Sequence, residues 1–192
     1  MPTSLAPEFV VPRLRGRFGR PYLYVETCPS TQRLFGPEHA EGALAVAEEQ
    51  TEGRGRLGRH WHSPPGVSVL CSILLEPPVE TQRLPELSLV AGEAAAEAIA
   101  TVTALGPEIK LPNDILLGGR KVAGILAEAR DGRVVLGIGI NVNLTEDQLP
   151  TEVHLPATSL RVELGREVDR AELLVELLAV LERRYDMWAG RS

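Results

Sequence analysis

Apolar residues recur along the chain with two different periods. Over residues 84–103 they return every three or four positions, which predicts an amphipathic helix. Residues 67–75 form a mostly apolar run between turn signals that is too short for a typical helix, so they predict a buried strand. A second long helix is predicted from its N-cap, Asp169, to about Trp188, because leucines and Tyr185 share one face of that segment.

Shorter apolar runs predict further strands, at residues 22–26, 43–48, 109–111, 115–117, 122–129 and 134–140. The tight-turn pairs Gly118-Gly119 and Asp131-Gly132 separate the last three runs, so we expect an antiparallel meander there. Together these elements predict an α+β fold, in which a mixed, largely antiparallel sheet of six or seven strands carries helices mainly on one face.

The segments between these elements are irregular. Residues 1–20 contain three prolines and no apolar period, so we expect an N-terminal arm. A solvated tail is favoured for its Arg-rich part, over contact with an acidic partner or a neighbouring subunit. Ser30 is predicted to cap a short helix that ends near Phe35, and residues 144–168 are predicted to be rich in loops.

Composition narrows the class of protein. The 192 residues are 44% hydrophobic and 24% charged, which is typical of a globular chain with one core. No window contains 18 consecutive apolar residues and no secretory signal is visible, so we expect no membrane span and a reducing, cytoplasmic setting. The net charge of -6 argues against a basic surface for nucleic acid.

Rare residue types cluster in one part of the chain. Arginine occurs 18 times, lysine only twice and asparagine three times. All five of the rare residues fall between positions 110 and 143: Lys110, Asn113, Lys121, Asn141 and Asn143. A composition biased towards arginine should have replaced lysines and asparagines that have no specific role. We therefore treat residues 110–143 as a candidate functional segment.

A loop near residue 55 alternates glycine and arginine, in the order Gly53-Arg54-Gly55-Arg56-Leu57-Gly58-Arg59. Closely spaced glycines allow the backbone to approach a ligand with its N–H groups, and arginine forks suit carboxylate or phosphate. The loop is therefore a candidate clamp for an acid and a nucleotide. The alternative is a solvated, flexible loop.

Two further motifs carry polar groups at strand ends. In residues 110–114, Pro112 interrupts a strand and exposes Asn113 and Asp114, unless the two only form an Asx turn. In residues 137–141, two glycines weaken a strand where a ligand could approach, and Asn141 could meet an adenine edge. The alternative for the second motif is a bulge followed by a turn.

In combination, these motifs resemble the catalytic domain of biotin protein ligases. The matching pieces occur in family order over residues 22–188: Ser30-Thr31, residues 50–59 with Trp61, residues 110–114, residues 120–125 and residues 137–141. The resemblance implies a class II aminoacyl-tRNA synthetase-like fold and an ATP-dependent ligase. Such an enzyme forms biotinyl-5'-AMP and pyrophosphate from biotin and MgATP, and then transfers biotin to a lysine of a biotin carboxyl carrier protein.

The resemblance also implies roles for individual residues. Those expected to bind biotin are Ser30, Thr31, Gln50, Gly53, Arg54, Lys121 and Gly124. Those expected to bind ATP are Arg56, Arg59, Trp61, Asn113 and Asn141. Those expected to be catalytic are Arg56, Lys110, Asp114 and Lys121, with Asp114 also a candidate ligand for Mg²⁺.

The resemblance sets expectations for organisation and partners as well. Residues 21–192 would form the catalytic domain after the arm, with no winged helix, no C-terminal SH3-like domain and therefore no DNA partner. A homodimer is implied. The family often has Asn and Trp where this chain has Gln32 and Leu111. Two alternatives remain, a biotin or biotinyl-adenylate binding module without transfer and a lipoate or octanoate ligase.

Overall fold

The computed structural model describes residues 4–78, 83–151 and 155–191. Its centre is a seven-stranded sheet in the order β1-β2-β3-β7-β6-β5-β4. The strands are β1 (Tyr22–Cys28), β2 (Leu44–Gln50), β3 (Ser68–Leu75), β4 (Glu108–Lys110), β5 (Asp114–Leu117), β6 (Arg120–Arg130) and β7 (Arg133–Asn141). Only β1 and β2 pair in parallel, so the predicted mixed, largely antiparallel sheet is confirmed.

The predicted hairpins form where the turn pairs occur in the sequence. Gly118 and Gly119 join β5 to β6, and Asp131 and Gly132 join β6 to β7. All four residues have positive φ angles, between 51° and 77°. Two-residue hairpin turns with both central residues at positive φ match the twist of the flanking strands, which is why these pairs predict the meander correctly.

The helices are α1 (Pro7–Val10), α2 (Glu86–Thr103), α3 (Leu160–Leu164) and α4 (Arg170–Ala189). Asp169 caps α4 as predicted, accepting a hydrogen bond from the Glu172 N–H at 3.0 Å. Alternate residues of β7 pack with α2 and α4 in the main core, whereas Gly137, Gly139 and Asn141 fall on the other face of the sheet. That face remains available for a site.

Residues 144–168 are rich in loops as predicted, and they also include the short helix α3, whose N-cap Ser159 accepts a hydrogen bond from the Val162 N–H. Ser30 stands before a short helix, but this is only a 3₁₀ turn, Thr31–Arg33, and the Ser30 side chain forms no capping hydrogen bond.

The prediction of a solvated arm is wrong. Leu5, Val10 and Phe18 are fully or almost fully buried in the main core. The Arg17 guanidinium forms ion pairs with Glu182 and Asp186 on α4. Residues 5–18 are therefore part of the packed structure. No helix in the described part of the chain is long and apolar enough to cross a membrane.

Candidate functional site

A cavity of about 460 Å³ opens on the sheet face away from the long helices. Its floor includes Gly124 on β6 and Gly137, Gly139 and Asn141 on β7. One side is formed by the Gly-Arg loop and its continuation, the other by the β4–β5 turn and by residues 150–157 as far as they are described. Segments far apart in sequence therefore meet around one volume.

The end of the cavity near Gly137 carries uncharged polar groups. The Gln50 side-chain oxygen accepts hydrogen bonds from the Thr31 N–H at 2.8 Å and the Thr31 hydroxyl at 3.1 Å. The Thr31 hydroxyl is also 2.7 Å from the Ser72 hydroxyl. Because its oxygen is engaged twice, the Gln50 amide has its N–H groups left for a ligand.

In the middle of the cavity wall, the Trp61 ring packs directly on two glycines of the sheet. A Cβ atom on Gly139 would lie 2.8 Å from the Trp61 ring, and one on Gly124 would lie 2.9 Å from it. Both glycines are therefore required by the position of the indole. The Trp61 Nε1 atom is buried without a hydrogen-bond partner among the described residues.

The other end of the cavity contains an ion pair. Lys121 Nζ lies 2.6 Å from Asp114 Oδ1 and 5.4 Å from the centre of the Trp61 ring. The Lys121 backbone is held on both sides, since its N–H donates to the Pro156 carbonyl and its carbonyl accepts from the Thr158 N–H. This pairing fixes the start of β6, so the ammonium group is placed by the sheet rather than by a flexible loop.

Two asparagines lie beside this ion pair. Asn113 donates to the Ile125 carbonyl at 3.0 Å and has its side-chain oxygen 3.5 Å from an Arg56 nitrogen. Asn141 is buried and donates to the Thr158 carbonyl at 3.0 Å. Asn143, by contrast, forms two hydrogen bonds with the Val168 backbone and does not line the cavity, so its part is structural.

The Gly-Arg loop is a folded turn, not a flexible segment. The Gly55 N–H donates to the Arg59 carbonyl at 2.7 Å, and the Trp61 N–H donates to the Gly53 carbonyl at 2.8 Å. Arg54 also forms an ion pair with Glu128 on β6 at 3.2 Å. The loop therefore lies over the cavity with its arginines at the rim.

Most of the residues predicted from the sequence line this cavity: Ser30, Thr31, Gln50, Arg54, Arg56, Arg59, Trp61, Asn113, Asp114, Lys121, Gly124 and Asn141. Two do not. Lys110 ends β4 with an exposed side chain outside the cavity wall. Gly53 supports the loop from below, where a Cβ atom would lie 2.2 Å from the Trp61 carbonyl oxygen. The predicted roles of both stay predictions.

The structure adds Gln32, Ser72, Gly137 and Gly139 to the cavity wall. The alternating Gly-x-Gly-x-Asn pattern of β7 was a signal for the two glycines, because period two places them on one face. Ser72 and Gln32 had no comparable signal. Cys71 also borders the cavity, and burial raises the pKa of its thiol to about 12, which keeps it protonated.

The site offers little to a metal ion by itself. Asp114 is the only acidic side chain among the described residues that line the cavity. No group of three His, Cys, Asp or Glu residues clusters in the described part of the chain. Because Mg²⁺ is commonly held by one or two carboxylates together with substrate phosphates, the residues fit an ion that arrives with a nucleotide.

The fold and the cavity define an α+β domain of the class II synthetase type, with a small-molecule site on one face of the sheet. The chain belongs to the biotin/lipoate A/B protein ligase family, whose model matches residues 24–144.

Relatives and solved structures agree with this assignment. The bifunctional ligase/repressor BirA of Bacillus spizizenii is 40% identical over 176 residues, covering 87% of this chain and 54% of the relative. A biotin–[acetyl-CoA-carboxylase] ligase of Mycobacterium tuberculosis is 41% identical over 159 residues, covering 79% and 57%. A biotin protein ligase from Aquifex aeolicus, solved with biotin and ATP, has a TM-score of 0.80 at 36% identity, covering 88% and 72%. The chain thus spans about half the length of the curated relatives it matches.

Proposed function

We propose that this chain catalyses ATP-dependent biotin ligation. The observation that carries the proposal is the polarity of one continuous cavity. Uncharged donors and acceptors lie at its Gly137 end, the apolar surface of the Trp61 ring lies in the middle, and Lys121 with Arg56 lies at the other end. Biotin has the same order of groups, with a polar ring head, an apolar chain and a carboxylate.

In the first step, a biotin carboxylate oxygen attacks the α-phosphorus of ATP, forming the mixed anhydride biotinyl-5'-AMP and releasing pyrophosphate. Because both reactants are anions, the main requirement is neutralisation of their charge. In this proposal Lys121 neutralises the carboxylate and the α-phosphate, and Arg56 and Arg59 at the rim bind the other phosphates; their positions on the cavity wall support these roles. Mg²⁺, when present, supplies further positive charge at the phosphates.

The nucleotide base would lie near Asn141. Its amide donates to the Thr158 carbonyl, which leaves its oxygen as an acceptor. An acceptor matches the amino group of adenine. Trp61 would supply an aromatic surface beside this position, which supports the proposal that both residues bind the nucleotide.

In the second step, a lysine amine of a biotin carboxyl carrier protein attacks the anhydride carbonyl, forming an amide and releasing AMP. In this proposal Asp114, the acidic side chain on the cavity wall, holds the incoming amine and accepts its proton. The folded Gly-Arg loop would exclude water from the anhydride during the interval. A homodimer, a cytoplasmic location and a contribution from Lys110 belong to the same proposal. The free cysteines, Cys28 and Cys71, fit a reducing compartment.

The test combines the protein with biotin, MgATP and a biotin carboxyl carrier domain. Expected results are release of pyrophosphate and a mass gain of one biotinyl group on a single carrier lysine. Parallel reactions contain lipoate or octanoate instead. Biotin binding without transfer would establish a binding module, and preferential attachment of lipoate or octanoate would establish a ligase for those acids; either result overturns the proposal.

A further inference from the structure

One polar atom in the cavity wall has no partner. Gln32 is 4% exposed and lines the cavity. Its side-chain nitrogen donates to the Leu126 carbonyl at 2.9 Å. Its side-chain oxygen is buried and has no hydrogen-bond partner among the described residues. The Leu126 carbonyl fixes this orientation of the amide, because turning it over would place two acceptors against each other.

The Gln32 amide lies at the Gly137 end of the cavity. Ser72, Gly137 and Leu126 form a row across β3, β7 and β6, since each is paired with the next in register. Thr31 contacts the first residue of this row. The Gln32 nitrogen lies over the second, 2.6 Å from where a Gly137 Cβ would be. Neighbouring strands are about 5 Å apart, so the polar group of Thr31 and that of Gln32 lie side by side.

An unsatisfied buried acceptor destabilises a folded protein, because it has lost its hydrogen bonds to water without gaining a partner. None of the described residues donates a hydrogen bond to the Gln32 oxygen. A donor group of a ligand bound in the cavity would satisfy it. The adjacent Gln50 amide presents the opposite group, because its oxygen is engaged by Thr31 and its N–H groups are left over. The wall therefore presents an acceptor and a donor next to each other.

A ring head that carries both N–H groups and a carbonyl, as a cyclic urea does, matches this pair. A dithiolane ring or a hydrocarbon end offers neither an N–H donor nor a carbonyl acceptor. We propose that Gln32 is a specificity-determining residue, whose side-chain oxygen accepts a hydrogen bond from a ring N–H of the acid substrate and so favours a cyclic urea over lipoate. This inference rests on the proposed function and assigns the head-group preference to a particular atom.

The decisive experiment measures the dissociation constants of biotin, lipoate and ATP by calorimetry for the unaltered chain and for Gln32→Met. Methionine fills the same volume without an acceptor, so the dissociation constant of biotin should rise at least tenfold. Those of lipoate and ATP should change by less than twofold. Gln148→Met is the matched control, because the Gln148 oxygen accepts from the Thr145 N–H in a turn and does not line the cavity.

Gln32→Asn covers the case in which Gln32→Met does not fold. Because Asn keeps an amide acceptor, Gln32→Asn should retain more of the preference for biotin over lipoate than Gln32→Met does. A change in biotin affinity below twofold, or equal weakening of both acids, would refute the inference.

The outcomes also separate this inference from the proposed function. If the unaltered chain binds biotin but transfers none of it, the proposed function fails, and the ratio of dissociation constants still decides the role of Gln32. If the unaltered chain binds no biotin, both are overturned.

Discussion

Two ion pairs of equal length have different roles in this fold, one in stability and one at the candidate site. Arg170 and Glu48 approach to 2.6 Å, and so do Lys121 and Asp114. The Arg170 side chain is 3% exposed, whereas that of Lys121 is 24% exposed and borders the cavity. The same attraction therefore operates in two different surroundings.

Protein groups enclose the first pair. Arg170 also donates to the Ser68 carbonyl at 3.0 Å, and Glu48 accepts from the Leu5 N–H at 3.0 Å and the Tyr24 hydroxyl at 3.4 Å. The pair thereby connects the arm, β1, β2, β3 and α4. Nearby, the Tyr22 hydroxyl donates to the Leu5 carbonyl, and burial raises the pKa of that phenol.

The second pair borders the cavity. Asp114 Oδ1 lies 2.6 Å from Lys121 Nζ, and both residues line the cavity wall. The ammonium group of Lys121 also lies 5.4 Å from the centre of the Trp61 ring. A pair that protein groups enclose holds elements together, whereas a pair that borders an open cavity can be reached by a substrate.

The largest expected effect comes from breaking the enclosed pair. Arg170→Met leaves the Glu48 carboxylate buried without its cation, so the free energy of unfolding should fall by about 3–5 kcal/mol. Urea denaturation measures this fall. Arg166→Met, at an exposed arginine, is the control and should change it by less than about 0.5 kcal/mol. Adding Glu48→Gln to Arg170→Met should restore part of the loss. A fall below about 1 kcal/mol would contradict this account of the pair.

Breaking the open pair should affect chemistry more than stability. Lys121→Met removes the cation at the carboxylate end, and pyrophosphate release should slow by about 10²–10³-fold. The free energy of unfolding should change by less than about 1 kcal/mol, since the pair is partly solvated. Lys110→Met is the matched comparison, and its exposed position predicts a smaller loss. Unchanged pyrophosphate release in Lys121→Met would remove this lysine from the mechanism.

A third change alters the surroundings of the open pair without touching either charge. Gly139→Ala places a methyl group 2.8 Å from the Trp61 ring. Moving the ring should lower stability by about 1–3 kcal/mol and slow pyrophosphate release at least tenfold. Gly106→Ala is the control, because no atom lies within 4 Å of its added Cβ. Equal effects of the two substitutions would show that the close contact between Gly139 and the Trp61 ring matters neither for stability nor for pyrophosphate release.

The smallest effect concerns an exposed pair between the arm and α4. A hydrogen bond from Arg17 lowers the pKa of Asp186 below its usual value of 3.8. A lowered carboxyl pKa stabilises the fold above the unfolded value, and this contribution is lost as the pH falls through the folded value. Arg17→Met should therefore reduce stability by up to about 1 kcal/mol at pH 7, and the difference should shrink as the pH falls below 3.8 and vanish once Asp186 is protonated in the folded chain.

Urea denaturation at several pH values measures this difference, with exposed Arg130→Met as the control. A difference between the Arg17 variant and the unaltered chain that stays constant down to pH 2 would show that Asp186 is not the partner that matters.

Local patterns predicted much of this molecule. The hairpin turns, the α2 and α4 segments and the alternation along β7 depend on neighbours within a few positions, which a single sequence contains. Most of the cavity residues, by contrast, were implied by the resemblance of the combined motifs to biotin protein ligases and not by a local pattern. Leu5 and Phe18 gave no such signal, since each fills a separate gap in the core.

The capping hydrogen bond predicted for Ser30 does not form, for a related reason. In the sequence, a serine before a short segment resembles a helix cap, but the following Thr31 forms hydrogen bonds with Gln50 and Ser72. These partners are 19 and 41 positions away. In a sequence, polar residues that form hydrogen bonds with a distant strand therefore cannot be distinguished from helix caps.

The sequence by itself determined the order of strands and helices, the hairpins and the residue types available for chemistry, because these follow from periodicity and backbone preference. Only the tertiary structure decided which groups are left without partners. Gln32 has an unsatisfied oxygen because Leu126, 94 positions away, takes its nitrogen. Arg170 is structural because Glu48, 122 positions away, pairs with it in surroundings that leave its side chain 3% exposed. Whether a polar group is satisfied depends on long-range packing, and that separates the residues that stabilise this fold from those that face a substrate.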